Sequence, residues 1–109
     1  MALYIVTGSY TAAAMKGMIA HPSDRAAAAR GVIEASGGKM VSFLLTTGDY
    51  DFSMVVETGD MPKMLASLMV VGATGAVTGL KTVQAFTNDE FTAAQKAASA
   101  IAKSYAAPS

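Results

Sequence analysis

Apolar and polar positions first follow the two-residue period of a strand, over "ALYIVTGS" (2–9), with Leu3, Ile5 and Thr7 on one face and Tyr4 and Val6 on the other. The next stretch, "YTAAAMKGMIAHPSD", is compatible with a helix, but Gly17 interrupts it and Pro22 stops it. It predicts a single helical turn or a short loop packed on the domain. Ser23 is placed to cap the helix "DRAAAARGVIEAS", with Asp24 in its first turn, Ala26, Ala29, Val32 and Ile33 as its apolar stripe, and Gly37-Gly38 at its end. "KMVSFLLT" and "DFSMVVE" read as two strands joined through Gly48 as an antiparallel hairpin. A second amphipathic helix follows. Asp60 is its N-cap, Pro62 sits in its first turn, and Met61, Met64, Leu65, Leu68 and Met69 form its buried stripe. Gly72 and Gly75 end it and lead into a fourth strand, "AVTGLKTVQAF". "TNDE" is a capping box, Thr87 to Glu90, opening a last helix over about 88–105. Its Phe91, Ala94, Ala98, Ile101 and Tyr105 recur at heptad-like spacing, and the tail "AAPS" is expected to fray.

The element order is β-α-β-β-α-β plus a C-terminal helix. That order predicts one α+β domain over 1–109 of ferredoxin-like, split βαβ type, with an antiparallel four-stranded sheet. Two helices cover one face of such a sheet. The other face is not polar enough to stand in water: Met40, Ser42, Leu44 and Thr46 alternate with Val41, Phe43 and Leu45, and Phe52, Met54 and Val56 with Ser53, Val55 and Glu57. Pairing of two subunits through their sheets is the simplest remedy, so the expected partner is the chain itself, as a homodimer or larger homo-oligomer.

Composition strengthens that expectation. Hydrophobic residues make up 52% of the 109 and charged residues only 15%, well under the usual quarter, and the apolar surplus needs somewhere to be buried. Eight basic and eight acidic residues give no net charge and no block of either sign, which argues against nucleic acid and anionic membranes as partners. No cysteine is present and histidine occurs once, so no metal site is expected. "MALYIVTGSY" lacks the basic and long apolar regions of a signal peptide, and a cytoplasmic protein is expected. No phosphate-cradling glycine loop stands between a strand and a helix, and no serine sits in a nucleophile elbow. No cofactor is implied.

The residues with chemistry to offer are few. The loop "TTGDYD" between the two hairpin strands carries Gly48, which suits a positive φ, and Asp49, a solvent-facing turn residue. Tyr50 could hold a neighbouring backbone group or a ligand, and Asp51 could cap the turn, pair with Arg25 or Lys16, or act as a base. Arg25 could place positive charge at the mouth of a cleft or form a surface ion pair. His21, beside Pro22, is a solvated loop residue or a ligand. Met15 and Met18 are free to line a pocket, whereas Met40 and Met54 suit the core.

Gly48-x-Tyr50-Asp51 followed by an apolar strand is also the most specific part of a wider pattern, with Gly17, Arg25, Gly37-Gly38, Asp60 and Gly75. In these positions, from the first strand to Ala85-Phe86, the chain resembles the GYD-domain proteins, small bacterial proteins related to the dimeric α+β barrels. It departs from them at Gly59, where the family often has proline. The resemblance implies the ferredoxin-like fold and self-association. Fold relatives include cofactor-free monooxygenases, haem-handling enzymes and ligand binders, a range that selects no chemistry. The leading expectation is a small-molecule-binding protein with an apolar cleft between sheet and helices, taking a small apolar or aromatic ligand at Tyr50 and Asp51, then Arg25, His21, Tyr4 and Tyr10. The alternative is a cofactor-independent enzyme on an aromatic or polyketide-like substrate, with Asp51 or His21 as base and Tyr50 orienting the substrate. A third reading is an interaction module without a ligand. An enzyme requires a buried acid-base group in an enclosed cavity, a binder an apolar cavity alone, and a module no cavity beyond a water or two.

Overall fold

The computed structural model of the chain describes residues 1–108. Strands β1 (Ala2–Tyr10), β2 (Lys39–Leu45), β3 (Phe52–Thr58) and β4 (Val77–Ala85) form one antiparallel sheet in the order β2-β3-β1-β4. Helices α1 (Ala12–Ala20) and α2 (Arg25–Ala35) lie between β1 and β2, α3 (Met61–Ala73) between β3 and β4, and α4 (Asn88–Ile101) after β4. This is the ferredoxin-like arrangement, with central β1 and β3 crossing over to the edges through α2 and α3. Ser109, the last residue of the tail expected to fray, lies outside the described residues. Among the described residues no helix is long and apolar enough to cross a membrane.

Alternation in the strands sorts side chains between two faces. Val6, Met40, Phe52, Met54 and Val56 point toward the helices and meet Ile33 of α2 and Met64 of α3 in the core. Each such side chain contributes about 1.5–3 kcal/mol by leaving water. The opposite face carries a continuous apolar centre. Ile5 pairs with Val55 on one side and Val83 on the other, with Leu3 and Ala85 paired beside them. Lys39 and Glu57 oppose one another toward one end of this face, and Lys81 lies opposite Thr7 toward the other.

Three local expectations need correction. The stretch after β1 is a nine-residue helix, α1, and not a turn or loop. Thr11 caps it by accepting the Ala14 N–H at 3.2 Å, which offsets the roughly 1 kcal/mol that Gly17 costs inside a helix. The cap of α2 is Asp24, which accepts the Ala27 N–H at 3.0 Å, and not Ser23, whose Oγ accepts from Arg25 Nη1. In α3 the inward stripe is Met61, Met64, Ser67, Leu68 and Val71, whereas Leu65 and Met69 are 55% and 67% exposed. Helix α3 is apolar on nearly all sides, so its phase is set by what the sheet accepts. Ser67 can turn inward because its hydroxyl donates to the Met64 carbonyl at 2.7 Å. The caps expected of Asp60 and of the Thr87–Glu90 box form as read.

Helix α4 buries none of its residues. All of its residues are exposed, including Phe91 and Ile101, as is Tyr105 beyond it. The chain consequently has a radius of gyration of 17.8 Å, against about 13 Å for a compact domain of this length.

Candidate functional site

Helices α2 and α3 diverge where β1 ends and β3 and β4 begin, leaving a cavity of about 240 Å³ between them and the sheet. Its floor is aromatic. The Tyr10 and Phe52 rings lie 5.6 Å apart between centroids, and Phe43 stacks on Phe52 at 5.8 Å with 12° between planes. Val32 and Ile33 of α2 and Leu68 and Val71 of α3 supply apolar walls. Arg25, in the first turn of α2, supplies the one charged side chain in the lining among the described residues.

The floor depends on a glycine. The last β1–β3 pair is Gly8 with Phe52, and a Cβ at Gly8 would lie 2.8 Å from the Phe52 ring. Gly8→Ala is therefore expected to drive that ring into the cavity at a cost of about 1 kcal/mol, a low figure because the adjoining space receives the ring. Urea denaturation reads the cost, and a midpoint equal to that of the native chain would contradict this account of Gly8.

The predicted site residues divide into groups. Arg25 and Tyr10 line the cavity and two neighbouring depressions as well. Asp51 lines the depression that adjoins α1, with Met15, Met18 and Leu45. Its carboxylate is engaged: Oδ2 accepts the Tyr10 backbone N–H at 2.9 Å. The Asp51 backbone N–H donates to the Gly8 carbonyl at 2.8 Å, and its carbonyl accepts from the Thr46 N–H at 2.8 Å. Gly48 has φ +100°, as the turn requires. Tyr50 lies outside all three spaces, 40% exposed, and its carbonyl accepts the Thr46 hydroxyl at 2.7 Å. His21 is exposed at the end of α1 and lines only the depression beside Met18 and Ser23. Tyr4 packs against the core, away from the cavity. Met40 and Met54 are buried in the core as expected. Phe43 and Phe52 are the site residues that strand periodicity left unmarked; their signal is the aromatic pairing across the hairpin with Tyr10 beyond it.

Arg25 is the electrostatic centre of the site. Its Nε is buried without a hydrogen-bond partner, and Nη1 donates to Ser23 Oγ at 3.1 Å. Asp51, a partner that the sequence left open, is held instead by Tyr10.

No curated protein matches the sequence. Three chains of solved structures match, two of which are as follows. One is FFRP-DM1, 16% identical with a TM-score of 0.45, the match covering 79% of this chain and 100% of that one. The other is a MhuD mutant with two manganese protoporphyrin IX bound per active site, 16% identical with a TM-score of 0.42, covering 81% of this chain and 95% of that one. The model of the GYD domain matches residues 4–95, from within β1 into α4 and through the Gly48–Asp51 loop. The chain belongs to the GYD domain family.

Proposed function

We propose that this protein is a self-associating small-molecule binder whose ligand lies in the cavity between the sheet and helices α2 and α3. The observation that carries this reading is the cavity itself, apolar, aromatic-floored and far larger than the roughly 10–15 Å³ that one water needs. That volume weighs against an interaction module without a ligand. The enzyme reading loses support for a different reason: among the described residues no acid-base pair lines the cavity. His21 and Asp51 are absent from its lining, and Asp51 already serves the backbone of β1.

Self-association follows from surface. The chain exposes 7372 Å², whereas a compact monomer of 11.1 kDa exposes about 5,700 Å². The surplus is roughly twice the ~800 Å² that each partner gives to an ordinary stable interface. Exposed apolar side chains stand on the open sheet face at Val83 and on α4 at Phe91 and Ile101, and a second copy of this chain is the occupant that covers both. Bacterial origin belongs to the same reading through the family, and cytoplasmic location through the N-terminal sequence.

Native mass spectrometry of protein purified without added ligand tests both parts. An oligomer carrying a reproducible extra mass is the expected result. A bare monomer would overturn the assembly, and an oligomer that takes up no small aromatic compound on titration would overturn the cavity's role.

A further inference from the structure

We infer that the ligand is an anion, a small planar apolar or aromatic carboxylate, and that Arg25 is its anchor. The inference rests on the reading of the cavity as a ligand site and names what that site selects. Arg25 borders the cavity and both neighbouring depressions. It has lost solvent at Nε without gaining an acceptor there. A guanidinium offers five donors in a planar fork, and among the described residues the bond to Ser23 Oγ uses one. Buried donors in folded proteins are satisfied as a rule, and a guanidinium bordering an apolar chamber is satisfied best by a bidentate carboxylate.

The rest of the lining narrows the class. Beyond Arg25 the only polar side chains of the lining, among the described residues, are those of Tyr10, Ser67 and Thr74, and the Ser67 and Thr74 hydroxyls donate to the carbonyls of Met64 and Val71. A phosphate, with more charge and more acceptors, would find one cation and little else. A monoanionic carboxylate matches the supply. The body of the ligand is set by the floor: Tyr10, Phe52 and Phe43 present a run of rings on which a flat π-system stacks. The size is set by the volume, about 240 Å³, which falls below the ~300–1,000 Å³ of sites for drug-sized ligands. One or two fused rings bearing a carboxylate satisfy all three conditions.

A matched pair of probes separates charge from shape. The full chain is titrated with 2-naphthoate and with methyl 2-naphthoate, in the native form and in the Arg25→Met and Arg25→Lys variants, each checked for a cooperative melt. The native chain is expected to bind the acid roughly tenfold to a hundredfold more tightly than the ester, the worth of a charge-assisted pair. Arg25→Met removes that preference, so that acid and ester bind alike, and Arg25→Lys restores part of it. Equal binding of acid and ester by the native chain, or a preference that survives Arg25→Met, overturns the anionic ligand while the cavity remains a binding site. Binding of neither probe overturns the cavity reading as well.

Discussion

Val55→Lys is expected to give a folded monomer. Val55 stands half-buried at the middle of the open sheet face, opposite Ile5 in β1 and Ser42 in β2, with Val83 one strand further on. Around this apolar centre the ends of the face carry Lys39, Glu57 and Lys81, the arrangement of an interface with a dry middle and a polar rim. In the monomer a lysine here reaches water along its own stem, so folding changes little. Face-to-face packing brings two sheets to about 10 Å, and a twofold axis sets each lysine near its own copy. An unpaired charge buried in this way costs several kcal/mol, which weakens dimerisation by about a thousandfold or more. Sedimentation velocity reads the result, and circular dichroism shows that the fold persists. A dimer of native affinity would exclude the sheet face. The exposed apolar residues of α4 would then be left to carry the contact, a choice that truncation after Phe86 decides.

The order of elements was legible in the sequence because each strand declares its period and the glycines mark the turns. Ferredoxin-like topology follows once a strand-helix-strand unit precedes a hairpin. Elements without amphipathicity were harder to read. Alanines dominate α1, so no stripe announced it, and its start depends on a threonine whose cap becomes apparent only when the backbone is in place. In α3 the trouble was reversed, since apolar residues on almost every side fit more than one phase. For the site, Arg25 and Tyr10 were named and do line the cavity, because a cation beside a cleft and an aromatic at a strand end are visible as letters. Phe43 and Phe52 read only as strand positions. Their part in the floor depends on how far α2 and α3 separate over the sheet, a tertiary distance that periodicity does not carry. Tyr50 and Asp51 show the remaining limit. Two neighbours in one motif carry equal promise as letters, yet the chain turns one to solvent and the other to the end of β1.

Asp51→Ala is expected to lower stability by about 2 kcal/mol and the melting temperature by roughly 10 °C. The β1–β3 ladder ends at Gly8 and Phe52, so the Tyr10 N–H points past the last residue of β3 that could accept it. Asp51 Oδ2 extends the ladder by one bond, at 2.9 Å. Its own backbone stays tied to Gly8 and Thr46, so alanine removes only the carboxylate and leaves the Tyr10 N–H orphaned in a half-buried place. The Tyr10 ring belongs to the cavity floor, and loosening its backbone is expected to weaken ligand binding together with stability. Asparagine separates this clasp from a catalytic base. Its amide oxygen still accepts the Tyr10 N–H, so Asp51→Asn keeps most of the stability and of the ligand affinity. A base behaves the other way: both variants would lose function, and neither would need to lose melting temperature. Thermal melts of the three proteins, each with and without 2-naphthoate, place the GYD loop in one role or the other. A fall with alanine that asparagine restores identifies Asp51 as the bond that holds the end of β1 against the cavity.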